Sequence, residues 1–147
     1  MKEVELDKID LKILEILQKN ARKTRKEIAA EVFMSPPAVA ARIERLEERG
    51  IVVAYRAQID YLTLGYHIKA FINVGVEPLD KKEFYAYIRK CKNVVECDCV
   101  TGEYAMLLKV YFKSTSDLDQ FIGKLQDFGR TNTLIVFSTA VDKGDLL

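Results

Sequence analysis

The most constraining stretch of this chain runs from Thr24 to Arg49, TRKEIAAEVFMSPPAVAARIERLEER, and is closed by Gly50. It reads as two short helices joined by a tight turn. Thr24 caps the first, and Glu27 three residues on completes a capping box, in which each side chain satisfies a free backbone N–H of the first turn. Ile28, Ala29 and Val32 give this helix one apolar side. Phe33 and Met34 make the turn. Ser35 caps the second helix, and Pro36 takes its first position, where a missing N–H costs nothing. Gly50 ends it, where a left-handed backbone is usually needed. Two helices joined in this way form a helix-turn-helix pattern, whose second helix enters the major groove of double-stranded DNA.

The surface of the second helix supports that reading. Val39, Ile43 and Leu46 share one stripe, which faces a core. Ala38, Arg42, Arg45 and Arg49 fall on a neighbouring stripe, while Glu44, Glu47 and Glu48 gather away from both. A solvated helix commonly mixes its signs to make i,i+4 pairs. Arginines collected on one side can instead reach phosphates and guanine edges. The candidate DNA contacts are therefore Ser35, Pro36, Pro37, Ala38, Ala41, Arg42 and Arg45, with Arg25 from the preceding helix. Lys19, Arg22, Lys23 and Lys26 cluster nearby and can hold flanking phosphates.

Bulk charge adds nothing to this argument. The net charge is +1, and residues 1–60 hold 12 Lys/Arg against 11 Asp/Glu, so any affinity for DNA rests on placement. Hydrophobic residues at 49% suffice for a packed core. No apolar run approaches the ~18 residues that span a membrane, and the charged start MKEVELDKID does not read as a secretion signal. Cys91, Cys97 and Cys99 are an odd set, which fits a reducing cytoplasm better than a disulfide framework.

Upstream, Asp7 or Asp10 starts a helix to about Lys19, with Ile9, Ile13, Ile16 and Leu17 in one apolar stripe. Downstream, IVVAYRAQID is rich in β-branched and aromatic residues and reads as an extended segment or wing. Asp60–Tyr66 is the connection between domains. From His67 the period changes to two: Ile68, Ala70, Ile72, Val74 and Val76 alternate with more polar neighbours. Asp80 caps a helix carrying Phe84, Ile88 and Cys91. Val94–Thr101 and Tyr104–Phe112 are strands separated by Gly102. Ser114–Ser116 cap a helix with Leu118, Phe121, Ile122 and Leu125, ended by Gly129, and Thr131–Ala140 is a last strand. The order βαββαβ matches a split βαβ, ferredoxin-like domain. The chain is thus α+β: a winged helix-turn-helix domain over residues 1–60 and a ferredoxin-like βαββαβ domain over 61–147.

In such a domain the helices cover one face of the sheet. Phe71, Leu107, Tyr111, Ile135 and Phe137 are assigned to the other, where they make an apolar patch. A second copy of the same sheet is the simplest cover, since a two-fold interface needs only a self-complementary surface. A homodimer is expected on that basis.

These motifs resemble the Lrp/AsnC (feast/famine) family of transcriptional regulators. The matching stretches are LDKIDLKILEILQKNAR, SPPAVAARIERLEERGIV, IDYLTLGY and VTGEYAMLLKV, and together they cover nearly the whole chain. The resemblance implies a sequence-specific DNA-binding regulator, dimeric through its second domain and assembled further into tetramers or octamers. It also implies an amino-acid effector at the interface between dimers, held by Thr101, Gly102, Glu103 and Tyr104 with help from Thr131, Asn132 and Thr133. Backbone N–H groups of a glycine turn can hold a carboxylate. The chain departs from the family in having Ala105 where an aspartate often follows the loop glycine, and Glu103 is the available substitute. The start of its second helix-turn-helix helix also lacks Asn, Gln and Thr, so Arg42, Arg45 and DNA deformability are expected to supply selectivity.

Three other readings are compatible with the sequence. A related haem-pathway decarboxylase shares the fold, yet the chain has one histidine, His67, and no assembled catalytic set, so no enzyme and no cofactor are expected. Cys97 and Cys99 share a strand face and with Cys91 offer three thiols to a soft metal, but two small core residues are the better explanation of a C-x-C on the apolar side of a strand, and no metal site is assigned. An architectural protein that coats DNA without an effector is the third.

Overall fold

The computed structural model describes residues 5–142 and Leu147. The chain divides into two compact units, one running to Gln58 and joined by the C-terminal residues from Asp142, the other covering Ile59–Val141.

The first unit is built from α1 (Lys8–Lys19), α2 (Arg25–Val32) and α3 (Pro36–Glu48). Each begins with a side chain that accepts a bond from a free N–H of its first turn: Asp7 from Asp10, Thr24 from Glu27 and Ser35 from Ala38. Asp7–Asp10 and Thr24–Glu27 are complete capping boxes. Ile13, Ile16, Ile28, Val39, Ile43 and Leu46 bury the inner stripes against one another. Leu46 and Gly50 terminate α3 together. The Leu46 carbonyl accepts from Ile51 and Val52, and Gly50 has φ 69°. The expected strand over Ile51–Asp60 is not formed. Among the described residues this segment finds no strand to pair with, and Tyr55 is tied to Glu47 through its hydroxyl at 2.7 Å.

The second unit holds β1 (Ile68–Val74), α4 (Lys81–Ile88), β2 (Val94–Cys99), β3 (Met106–Phe112), α5 (Thr115–Leu125) and β4 (Thr131–Ile135). The sheet is antiparallel in order β2-β3-β1-β4, the ferredoxin-like arrangement expected from the βαββαβ order. Ala70, Ile72 and Val74 of β1, and Met106, Leu108, Val110 and Phe112 of β3, are buried with Phe84, Ile88, Leu118, Phe121 and Leu125 of the helices. Asp80 sits at the start of α4 without a side-chain cap, whereas Ser114 caps α5. Gly129 does not end α5, which stops at Leu125. A Cβ on Gly129 would lie 1.9 Å from the Gly75 carbonyl oxygen, so glycine is required there by the approach of two backbones.

Register corrects the open-face assignment. Residues opposite each other in an antiparallel pair project to the same side. Phe71 faces Leu134, while Ala70, which is buried under the helices, faces Ile135. Ile135 therefore belongs to the helix side, and Leu134 is the open-face residue of β4. Phe137 lies beyond β4 and is 100% exposed. Its predicted strand, Thr131–Ala140, ends five residues early, and with it the alternation on which Phe137 was placed. Phe71, Leu107 and Tyr111 do share the open face, all half-buried, with Lys69, Lys109, Glu96 and Asp98 around them. Tyr61 stacks on Tyr111 with ring centroids 4.7 Å apart. Cys97 and Cys99 face Leu108 and Met106, on the helix side.

Candidate nucleic-acid interface and effector loop

Asp10 lies one turn into α1 and is 1% exposed, the one buried ionisable residue of the described chain. Both its oxygens are used twice. Oδ1 accepts from Arg42 Nη1 at 2.7 Å and Arg45 Nη2 at 3.0 Å, and Oδ2 accepts from Arg45 Nη2 at 2.9 Å and the Asp7 N–H at 3.3 Å. A carboxylate has about four acceptor sites, and all are filled. Arg42 also donates to Asp7 Oδ2 at 2.6 Å. The Asp10 N–H, and after it the Arg42 guanidinium, hold Asp7 below the usual carboxylate range, and the two carboxylates raise Arg42 above its own.

This clamp changes the assignment of the arginines. Their spacing predicts a stripe turned to DNA, but Arg42 and Arg45 are turned to the start of α1. Arg42, with 21% of its side chain exposed, is spent on internal pairs. Arg45 is also bonded to Asp10, though 48% of its side chain remains exposed. Sequence spacing located the stripe correctly and could not show that a carboxylate 35 residues earlier neutralises it. The signal was the buried-side position of Asp10 itself, one residue from Ile9 on an apolar stripe.

What α3 presents to solvent at its start is different. Ser35, Pro36, Pro37 and Ala41 are exposed, and Ala38 is half-buried. Arg25 is exposed at the first turn of α2. Phe33, in the turn, has φ 55°, the one non-glycine residue with positive φ among those described. Its N–H bonds the Ala29 carbonyl and so completes the end of α2. A left-handed backbone costs a residue with a Cβ roughly 1–2 kcal/mol, which is why glycine commonly fills this place.

The effector candidates meet at one end of the sheet. Thr101, Gly102 and Glu103 form an exposed turn between β2 and β3, with Gly102 at φ 111° and Val100 bonded to the Ala105 carbonyl. Thr131 pairs with Val74, and Gly75 donates to the Arg130 carbonyl at 2.8 Å, so the start of β4 and the end of β1 lie side by side. Asn132 is exposed opposite Asn73, and Thr133 is half-buried opposite Ile72. Arg130 joins them, a residue no sequence motif singles out. It crosses the gap, pairing with Glu103 and lying over the Tyr104 ring at 5.2 Å. Ala105 packs at the margin of the core.

Among the described residues no group of three His, Cys, Asp or Glu side chains is placed to hold a metal ion, and no helix is long and apolar enough to cross a membrane. Cys91 donates to the Tyr87 carbonyl, and burial pushes the Cys97 thiol up.

Comparison with known proteins agrees with this geometry. A family model for winged helix-turn-helix DNA-binding matches residues 6–53, and one for the Lrp/AsnC ligand binding domain matches residues 69–146. The chain is similar to the HTH-type transcriptional regulator LrpC of Bacillus subtilis, 31% identical over 92% of this chain and 94% of the relative. The solved structure of B. subtilis LrpC superposes with a TM-score of 0.89 over 95% of this chain and 99% of that one. The transcriptional regulator NMB0573 of Neisseria meningitidis, solved in complex with L-Met, is 30% identical with a TM-score of 0.88, covering 94% of each chain. E. coli AsnC is 30% identical with a TM-score of 0.85, over 95% of this chain and 97% of that one.

Proposed function

The chain belongs to the Lrp/AsnC family of DNA-binding transcriptional regulators, and from that premise we propose that its binding to double-stranded DNA is modulated by a free amino acid held where Glu103, Tyr104 and Arg130 meet. The observation that carries this reading is the Glu103–Arg130 pair, exposed on both sides and set beside the Gly102 turn. A zwitterion offers each member a partner of opposite sign: its carboxylate to Arg130 and the turn's N–H groups, its ammonium to Glu103. Glu103 thereby takes the place of the aspartate that Ala105 lacks. A relative of similar fold that was solved with L-Met supports the ligand class. Thr131, Asn132 and Thr133 lie alongside and can line the ligand's side chain.

Two copies join through their open sheet faces, with Phe71, Leu107, Tyr111 and Leu134 as the apolar centre, and such dimers associate further into tetramers or octamers. The chain acts as a regulator in the cytoplasm and catalyses no reaction; relatives that are named transcriptional regulators support this. The architectural alternative differs in having no ligand response.

A footprint on the DNA upstream of the protein's own coding region, with and without the twenty amino acids, tests the proposal. Protection that changes with the mixture, and ceases to change in Arg130→Ala while DNA affinity and Tm hold, is the expected result. Protection indifferent to every amino acid overturns the effector site.

A further inference from the structure

Phe33 is unexplained by anything that builds the fold. Its ring is 95% exposed and takes no part in the apolar cluster of α1, α2 and α3. Its backbone occupies a left-handed conformation that glycine would take without strain and asparagine with little. Local structure therefore disfavours phenylalanine here, and packing does not reward it. Strain and exposure of this kind collect at functional positions.

Its place in the fold narrows the function. Phe33 precedes the Ser35 cap of α3 by two residues, in the turn of the helix-turn-helix unit. The first residues of the second helix are those that meet base edges in the major groove. The surface there is apolar: Pro36, Pro37 and Ala41 are exposed, and the clamp on Asp10 withholds Arg42 and engages Arg45. The feature of a base edge that such a surface can recognise is the thymine 5-methyl group, which apolar side chains, phenylalanine included, contact in the major groove.

We propose that Phe33 is a DNA-reading residue, holding its ring against thymine methyl groups at the mouth of the major groove, with Pro36, Pro37 and Ala41 continuing the same apolar surface. This rests on the helix-turn-helix unit binding double-stranded DNA, and it assigns to that unit a specificity for methyl-bearing A·T pairs in place of guanine recognition by arginine.

Duplexes selected from a random pool by the full-length protein provide the probe. The same duplexes are then amplified with deoxyuridine in place of thymidine, which keeps the base pairing and removes the methyl groups. The wild-type protein should bind the uracil duplex more weakly, by about fourfold for each methyl buried. Phe33→Gly should lose a comparable factor on the thymine duplex and discriminate far less between the two duplexes, with a Tm equal to or above the wild type's. Phe33→Asn, which also tolerates the left-handed backbone, should behave in the same way. Unchanged affinity in both variants overturns the assignment, as does an equal loss on thymine and uracil duplexes. A wild-type protein that selects no duplex overturns the DNA-binding premise itself, an outcome distinct from both.

Discussion

The helical unit and the sheet unit solve the problem of holding elements in register by different physics. In the sheet unit the described core is apolar throughout. Phe84, Phe112, Phe121 and Leu125 sit between sheet and helices, and no buried ionisable group is found among the described residues of this unit. Backbone ladders set its register. Among the described residues the helical unit has no ladder, and its core contains Ile, Leu, Val and Ala but no aromatic residue. Three short helices packed by branched aliphatic side chains can slide and rotate at small cost. Here α3 is pinned to α1 by the Asp10 carboxylate and two guanidiniums, whose geometry admits one arrangement. Orientation of the recognition helix is thus set by a directional polar contact, and non-directional burial supplies cohesion.

The largest test of the contrast is a cavity in the sheet unit. Phe84 is fully buried, against Phe128 with ring centroids 5.4 Å apart. Phe84→Ala should cost about 3–5 kcal/mol, seen as loss of the sheet unit's unfolding transition at a lower denaturant midpoint. Protection of α1–α3 amides from hydrogen exchange should be unaffected. Coincident loss in both units would show that they do not unfold independently.

Asp10→Ala is the counterpart in the helical unit. It removes a capping-box member and the shared partner of two guanidiniums, so about 3 kcal/mol is expected, at the lower end for a broken buried pair because Arg42 keeps Asp7 and Arg45 can turn to water. Exchange of α1 and α3 amides should accelerate together, and DNA affinity should fall even where the unit remains folded. A variant with unchanged exchange would mean the clamp adds no rigidity.

Splitting the clamp sharpens the comparison further. Arg42→Ala removes bonds to two carboxylates and should cost about 2 kcal/mol, within the range for a charged hydrogen-bond partner. Arg45→Ala loses contacts that are half in water and should cost about 0.5 kcal/mol. Equal losses in urea titrations would place Arg45 inside the structural set.

The sequence made most of this fold legible because its determinants are local. Capping residues, the Ser35–Pro36 start, the apolar stripes and the period-two strands each act within a few residues, and the helix and strand order followed from them. What it concealed depends on partners far apart in the chain. Arg42 and Arg45 looked like a DNA-facing stripe because Asp10 lies more than thirty residues away. Ile135 and Leu134 were exchanged because one residue of register decides a strand's faces, and register is set by β1. Arg130 escaped notice because its role arises only where the β2–β3 turn meets the start of β4. Phe33 was visible as a turn residue, but its strain and exposure belong to the backbone and not to its spacing.

Acid separates the two units by a smaller effect. Glu15 is held down to about 2 from its ordinary 4.5, first by its hydrogen bond from Lys12 and then by that from Lys19. Asp7 is lowered by the Asp10 N–H and Arg42, and Glu27 by the Thr24 N–H. All three belong to the helical unit, whereas in the sheet unit Asp60 is lowered by Thr63. A carboxylate whose folded pKa is depressed stabilises the fold above its unfolded pKa, and that contribution disappears as pH falls through the folded value. The helical unit should therefore lose stability progressively as pH falls, over an interval that Glu15 sets at about pH 4.5 to about pH 2. These groups are exposed, so salt should weaken the effect. Amide signals followed by NMR through that range should show α1 and α2 loosening before β1 and β3. Simultaneous loss, or earlier loss of the sheet, would mean that the apolar unit and not the capped helices sets the acid limit, and the proposed division of labour between them would fail.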